Sequence, residues 1–261
     1  MKYIKLSVLV SIFTFVTACR SAPLEYFVSG TEPQLLTLSQ DLLYAIRTEN
    51  THVADSLKLQ LKSAKPELLS DQLKTDDSKK AFWLNVYNAF IQDILTNSPD
   101  NYEDRGAFFS KNRINIAGYT MSFDFIEHGI LRHSKNKLSL GYFNKLFPSK
   151  LEKSLRVDSL DFRIHFALNC GASSCPPIAY YTRENLDAEL EMAEAAFIVS
   201  RSRVEGNTVY VSKIFSWFRA DFGGKSGIEQ LLIKHKVIPN DSFKLEFDDY
   251  DWNLELKKYR D

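Results

Sequence analysis

Apolar positions recur at three- and four-residue steps from the first third of the chain onward. Leu35, Leu36, Leu42, Leu43 and Ile46, then Val53, Leu57 and Leu61, predict helix across residues 33–69. Phe82, Val86, Phe90 and Ile94 put one stripe on a second helix over residues 78–96, and Asn97-Ser98-Pro99-Asp100 ends it with turn chemistry. The period then shortens. Ile114, Ile116, the Ala117-Gly118 turn, Tyr119 and Met121 predict a tight hairpin over 113–122. Ser122 is suited to cap a helix carrying Phe125, Ile126, Ile130 and Leu131. Residues 162–168 read as a buried strand. Thr182 is placed to cap a helix with Leu186, Leu190, Ala193 and Phe197 on its core side. A second hairpin over 203–211 turns at Glu205-Gly206-Asn207, short helices follow near 213–221 and 226–235, and a last strand lies near 243–247. Helices mixed with hairpins predict an α+β fold: one domain, its helical N-terminal part packed on a mixed or antiparallel sheet.

The first residues follow a different logic. Lys2 and Lys5 precede an uncharged apolar run, residues 6–16, which is shorter than the roughly 20 residues a membrane-spanning helix needs. The run ends in Val16-Thr17-Ala18-Cys19, which resembles the lipobox of bacterial lipoproteins. That resemblance implies a signal peptide over 1–18, lipid on Cys19, a tether over 19–33 and a single globular domain over 34–261. It also implies an exported protein anchored in a bilayer by its acyl chain. By the same resemblance, Arg20 rather than Asp after the Cys implies the outer membrane, facing the periplasm. An ordinary secretory leader with an incidental Cys is the alternative.

Charge narrows the partners. The chain holds 33 basic and 33 acidic residues. Without Lys2 and Lys5 the balance is 33 − 2 = 31 against 33, so no nucleic-acid footprint or polybasic membrane patch is expected. The lipid is the only anchor expected. Beyond Cys19 only Cys170 and Cys175 remain, too few for a disulfide scaffold, so stability must come from the core.

The chemistry concentrates in Arg163-Ile164-His165-Phe166-Ala167-Leu168-Asn169-Cys170-Gly171-Ala172-Ser173-Ser174-Cys175-Pro176-Pro177. An apolar segment delivers a thiol into a loop of small residues, whose backbone N–H groups at Gly171, Ser173 and Ser174 could hold an oxyanion. A nucleophilic Cys170 needs a base to form the thiolate. His165, five residues earlier on an expected strand, falls on the opposite face. His128, beside Glu127, is the base candidate by elimination. His52, His133 and His235 read as surface residues, and Trp83, Trp217 and Trp252 as core or cleft walls. Asn85, Asn88 and Gln92 form an amide stripe on the helix over 78–96, either tying it to a loop or serving the site. Asn85 or Glu127 could orient the imidazole, and Asn88 could contact substrate.

Phe82-Trp83-Leu84-Asn85-Val86-Tyr87-Asn88, Ile126-Glu127-His128-Gly129-Ile130-Leu131-Arg132 and the cysteine segment together resemble the domain of unknown function numbered 547. Tyr181-Thr182-Arg183-Glu184-Asn185-Leu186 and Ile214-Phe215-Ser216-Trp217-Phe218 to Asp221-Phe222-Gly223 extend the resemblance over about residues 75–255. Plant members of that family keep the positions of Cys170, Glu127 and His128 but carry Ser at that of Cys175. The resemblance therefore implies that Cys170 with His128 is the functional couple.

Three readings stay open. The first is a thiol hydrolase or acyltransferase acting on an amide or ester through Cys170, His128, Glu127 and Asn85. The second is a non-catalytic binding or scaffolding lipoprotein, with Cys170 and Cys175 joined as a structural disulfide and a small-molecule or peptide ligand. The third is a zinc site of His165, Cys170, Cys175 and His128. The first two expect no metal or cofactor.

Overall fold

The structure is a computed structural model that describes residues 34–239 and 243–260. The expected signal peptide, the lipid site at Cys19 and the tether lie outside the described residues.

Helices α1 (Gln34–Arg47), α2 (Thr51–Ser63), α3 (Glu67–Gln72) and α4 (Asp76–Asn97) form the N-terminal part, followed by a 3-10 turn (Pro99–Tyr102) and α5 (Arg105–Ser110). The α1 helix packs against both α2 and α4. Helix α4 starts at a capping box, in which Thr75 Oγ1 accepts from the Ser78 N–H while the Ser78 hydroxyl accepts from the Thr75 N–H. Asp76 and Asp77 in its first turn complement the helix dipole. The single apolar stripe read from its sequence is too narrow. Residues on every side of α4, from Ser78 to Gln92, are buried, as in a helix that runs through a core rather than along its surface. Its amides are buried as well, so each requires a partner.

The predicted hairpin is present as β1 (Ile114–Ile116) and β2 (Tyr119–Met121), with Ile114 opposite Met121. Its two turn residues, Ala117 and Gly118, both have positive φ, as a type I′ turn requires. Their N–H groups donate to Leu61 and Lys62 carbonyls at the end of α2. A π-helix (Phe125–Leu131), α6 (Lys150–Leu155), a 3-10 helix (Phe162–Phe166) and α7 (Leu186–Ser200) follow. The second sheet is mixed: β3 (Ser202–Glu205) pairs antiparallel with β4 (Thr208–Val211), which pairs parallel with β5 (Lys244–Phe247). Between them lie α8 (Ile214–Trp217) and α9 (Gly224–Lys234). The fold is α+β, with helices predominating and two small sheets.

Residues 162–168 are not a strand. Asp161 accepts from the Arg163 N–H at 3.1 Å and from the Arg163 guanidinium at 3.0 and 2.8 Å, closing a local turn that competes with extended backbone. The alternation that put His165 and Cys170 on opposite faces therefore does not apply. Two of the histidines read as surface residues are paired instead. His133 meets the Val157 carbonyl at 2.7 Å, and His235 meets the buried Glu194 at 2.7 Å.

Candidate functional site

The cysteine loop is held by main-chain contacts from α4. Asn88 Nδ2 donates to the Ala167 carbonyl at 2.9 Å, and its Oδ1 accepts from the Asn169 N–H at 2.9 Å. Asn85 grips Tyr181 the same way, at 2.8 and 3.0 Å. Gln92 Oε1 accepts from the Lys257 N–H at 2.7 Å. Each amide of the stripe thus ties α4 to a different segment. Asn85 and Asn88 are positioning residues for backbone, not an imidazole orienter and a substrate contact, because their hydrogen bonds are already committed.

The loop also closes on itself. Asn169 donates to the Pro176 carbonyl at 2.7 Å and accepts from the Gly171 N–H at 2.9 Å. The N–H groups of Ser173 and Ser174 donate to the Asn253 and Asp251 carbonyls at 2.9 and 3.2 Å. The oxyanion role expected of Gly171, Ser173 and Ser174 is corrected on this ground, since those donors all have internal partners. Gly171, at φ 90°, has Leu95 within 3.0 Å of where a Cβ would stand, so a side chain there meets both strain and a clash.

Cys170 and Cys175 are joined as a disulfide, their Cα atoms 6.3 Å apart. Both line a cavity of about 470 Å³. The Tyr250 hydroxyl lies 3.2 Å from Cys175 Sγ and 3.7 Å from Cys170 Sγ. A disulfide has no S–H, so the hydroxyl is the donor. Trp217 and Trp252 stack with centroids 5.5 Å apart, and Tyr250 packs against both. With Phe109 and Phe218 they make the walls aromatic. Trp83, in contrast, is wholly buried in the core.

Glu127 and His128 reach the same cavity from the π-helix. Ser122 Oγ accepts from the Phe125 N–H at its start, as the sequence predicted. Wide-turn bonds then run from the Arg132 N–H to the Glu127 carbonyl and from the Ser134 N–H to the Gly129 carbonyl, both 2.9 Å. Such π-turns concentrate at functional sites. Arg132 donates to His128 Nδ1 at 2.9 Å and to Asp221 Oδ2 at 2.7 Å. His165 Nε2 meets the same carboxylate oxygen at 2.8 Å, and its ring stacks on Phe218 at 3.9 Å.

These contacts set the proton inventory. A guanidinium only donates, so Nδ1 of a neutral His128 is the acceptor and its proton sits on Nε2. Burial, then the charges of Arg132 and Lys137, hold the His128 pKa well below its ordinary value. His128 therefore presents an N–H and no vacant lone pair, and the base role assigned to it is corrected. Burial pushes the Glu127 carboxyl up to about 7, with Arg132 opposing in part. The Tyr87 hydroxyl approaches Glu127 at 3.4 Å. Glu127 is thus the group in the cavity poised to exchange a proton near neutrality. Burial disfavours charge on Asp221, but hydrogen bonds from His165 and Arg132 outweigh it and keep its carboxyl below the usual range. Burial lowers His165 to about 4, which leaves it neutral and donating to Asp221.

Cys170, Cys175, Glu127 and His128 are brought together; Asn85, Asn88, Gly171, Ser173 and Ser174 support them from behind. His165 also joins the cavity. Arg132, Asp221 and Tyr250 were not singled out by sequence reasoning. The four-residue step from His128 to Arg132 on a helix was a usable signal for one of them, whereas Asp221 and Tyr250 arrive from distant segments. Among the described residues no cluster of three or more His, Cys, Asp or Glu side chains could hold a metal ion. The two sulfurs bond each other, His165 faces Asp221 and His128 faces Arg132, so the zinc set is not assembled.

Residues 70–198 match a family model described as protein of unknown function, DUF547. No curated protein and no solved structure matches the chain.

Proposed function

Because the chain belongs, through residues 70–198, to the DUF547 family of proteins of unknown function, its activity has to be read from the cavity, and we propose that this cavity binds a small, largely apolar ligand. The ligand's body packs on Trp217, Trp252 and Phe218, and a polar group faces Glu127 and the His128 N–H. The observation that carries the reading is the aromatic-walled cavity with a perturbed carboxylate at one side. The Cys170–Cys175 disulfide serves as a fixed wall. In this account the protein is an exported lipoprotein facing the periplasm of a diderm bacterium, anchored through Cys19 to the outer membrane. Lys2, Lys5 and the Val16-Thr17-Ala18-Cys19 sequence support that part, and an oxidising compartment suits the disulfide.

A second reading keeps the thiol hydrolase or acyltransferase. It is favoured by one observation, that Cys170 shares its cavity with Glu127. It requires prior reduction, and it makes Glu127 rather than His128 the base.

The neutral fluorophore N-phenyl-1-naphthylamine tests the binding reading. Saturable energy transfer from tryptophan to the probe is expected. Trp217→Ala or Trp252→Ala should weaken it at least about fivefold, since aromatic contacts of this kind contribute about 1 kcal/mol beyond area burial. Binding unaffected by either substitution would remove the cavity from the account.

A further inference from the structure

The segment between the π-helix and α6 presents apolar surface without burying it. Leu138 is 90% exposed, Leu146 87% and Phe147 93%, with Phe143, Tyr142 and Leu140 exposed beside them. Other exposed large apolar side chains among the described residues are scattered along the chain, as is ordinary for a protein surface. Here six crowd into ten consecutive positions.

This exposure is built in. The Asn136 N–H donates to the Phe143 carbonyl at 2.9 Å, and the Lys145 N–H to the Ser134 carbonyl at 2.7 Å. Ser139 Oγ and Asn136 Oδ1 hold the bend between them. At its inner edge the segment is fastened to the core of the site. The Ala220 N–H donates to the Leu140 carbonyl at 3.0 Å, and Gly141 sits so close to Asp221 Oδ1 that a Cβ would lie 2.2 Å from it. The loop is pinned at its base while its apolar tip points outward.

Its charge is one-sided. Between Glu127 and Glu152 the chain contains Arg132, Lys135, Lys137, Lys145 and Lys150 and no acidic residue. Arg132 is buried. The acidic groups that face the loop each pair with one of its cations, Asp124 with Lys137 at 2.8 Å, Glu152 with Lys145 at 3.0 Å and Asp221 with Arg132 at 2.7 Å, so the positive excess rests on Lys135, Lys150 and Lys153. Lys150 and Lys153 are exposed at its end. Aromatic and leucine side chains projecting beside lysines match a bilayer interface, where apolar groups enter the acyl boundary and lysines meet lipid phosphates. The overall charge balance of the chain conceals this local excess.

We propose that residues 138–147 dock on an anionic phospholipid surface, a second membrane contact independent of any lipid on Cys19. Lys137, Leu138 and Leu140 also line the cavity, so docking holds the cavity against that surface.

The full chain carrying Cys19→Ala, which has no thiol for an acyl anchor, is sedimented with vesicles of phosphatidylcholine alone or mixed with phosphatidylglycerol. Binding to the mixed vesicles is expected, falling as salt is raised. Phe143→Ser, Leu146→Ser and Phe147→Ser together should weaken it by at least about tenfold, with the thermal midpoint and naphthylamine binding unchanged. Lys150→Glu with Lys153→Glu should weaken it on the mixed vesicles by a smaller factor. Equal binding to both vesicle types, or a triple variant that binds as well as its parent, would overturn the proposal. So would self-association that the triple substitution abolishes without any vesicle binding, since the face would then meet a second copy of the chain.

Discussion

Residues 167–176 and residues 135–149 both reach the cavity, the first through Cys170 and Cys175, the second through Lys137, Leu138 and Leu140. In the first, buried amides from α4 and from Asn169 take up the main-chain polar groups one by one, and a disulfide closes the turn. In the second, local hydrogen bonds hold the backbone in a bend, and large apolar side chains stand in solvent. The difference teaches where stability ends and recognition begins. Satisfied buried polar groups fix one wall of the cavity in a single geometry. The other wall carries exposed apolar surface that nothing among the described residues covers, as a contact surface would.

Substitutions sharpen that contrast. The largest loss is expected at Arg132, whose guanidinium is fully buried and serves both His128 and Asp221. Arg132→Met leaves the buried Asp221 charge with one partner fewer and should cost about 3–5 kcal/mol in urea unfolding. Asn88→Ala strands the Ala167 carbonyl and the Asn169 N–H, and about 2–4 kcal/mol is expected from the two unmet groups. Cys170→Ala with Cys175→Ala releases a short closed loop, for which chain entropy suggests about 2 kcal/mol. In contrast, Phe143→Ser, Leu146→Ser and Phe147→Ser should each stay within about 0.5 kcal/mol, because their side chains have little burial to lose. An equal loss in both loops would break the comparison.

The pH dependence involves three groups of the site. Glu127 has its carboxyl raised to about 7 from 4.5. Between those values the native state holds a proton that the unfolded chain has released, so stability should fall as pH rises through this window. Glu127→Gln should flatten that slope. His165 runs the opposite way. Lowered to about 4, it stays neutral while the unfolded chain takes up a proton below about pH 6.5. The His165 contribution therefore falls as pH drops from there toward 4, opposing the Glu127 slope where the two windows overlap. Asp221, held below the usual carboxylate range, extends the acid loss to lower pH. Unfolding midpoints of the parent and of Glu127→Gln measured across pH 3 to 8 separate these contributions, the difference between the two curves isolating Glu127.

Much of this fold was legible because local rules agree with it. The hairpin at Ala117-Gly118, the Ser122 cap and the helix over Leu186–Ser200 follow from turn residues and periodicity that tertiary contacts do not override. Residues 162–168 misled because an apolar run cannot distinguish strand from 3-10 helix when Asp161 turns the backbone locally. The site was half legible. Cys170, Cys175, Glu127 and His128 announce themselves by type and neighbourhood. The network that decides their protonation does not, because Asp221 and Tyr250 reach it across 89 positions from Arg132 and 75 from Cys175. Periodicity also cannot show that a helix widens into a π-turn, which is what sets Glu127 and His128 on the cavity.

Whether Cys170 and Cys175 are bonded to each other in solution decides between a fixed cavity wall and a free thiol. Iodoacetamide labelling of the chain with Cys19 replaced and expressed into a bacterial periplasm, mapped by mass spectrometry with and without prior reduction, measures this directly. No modification of Cys170 or Cys175 before reduction and full modification of both afterwards is the predicted result. Fast labelling of Cys170 in the unreduced protein below pH 7 would contradict it, and would return the cavity to a thiolate enzyme.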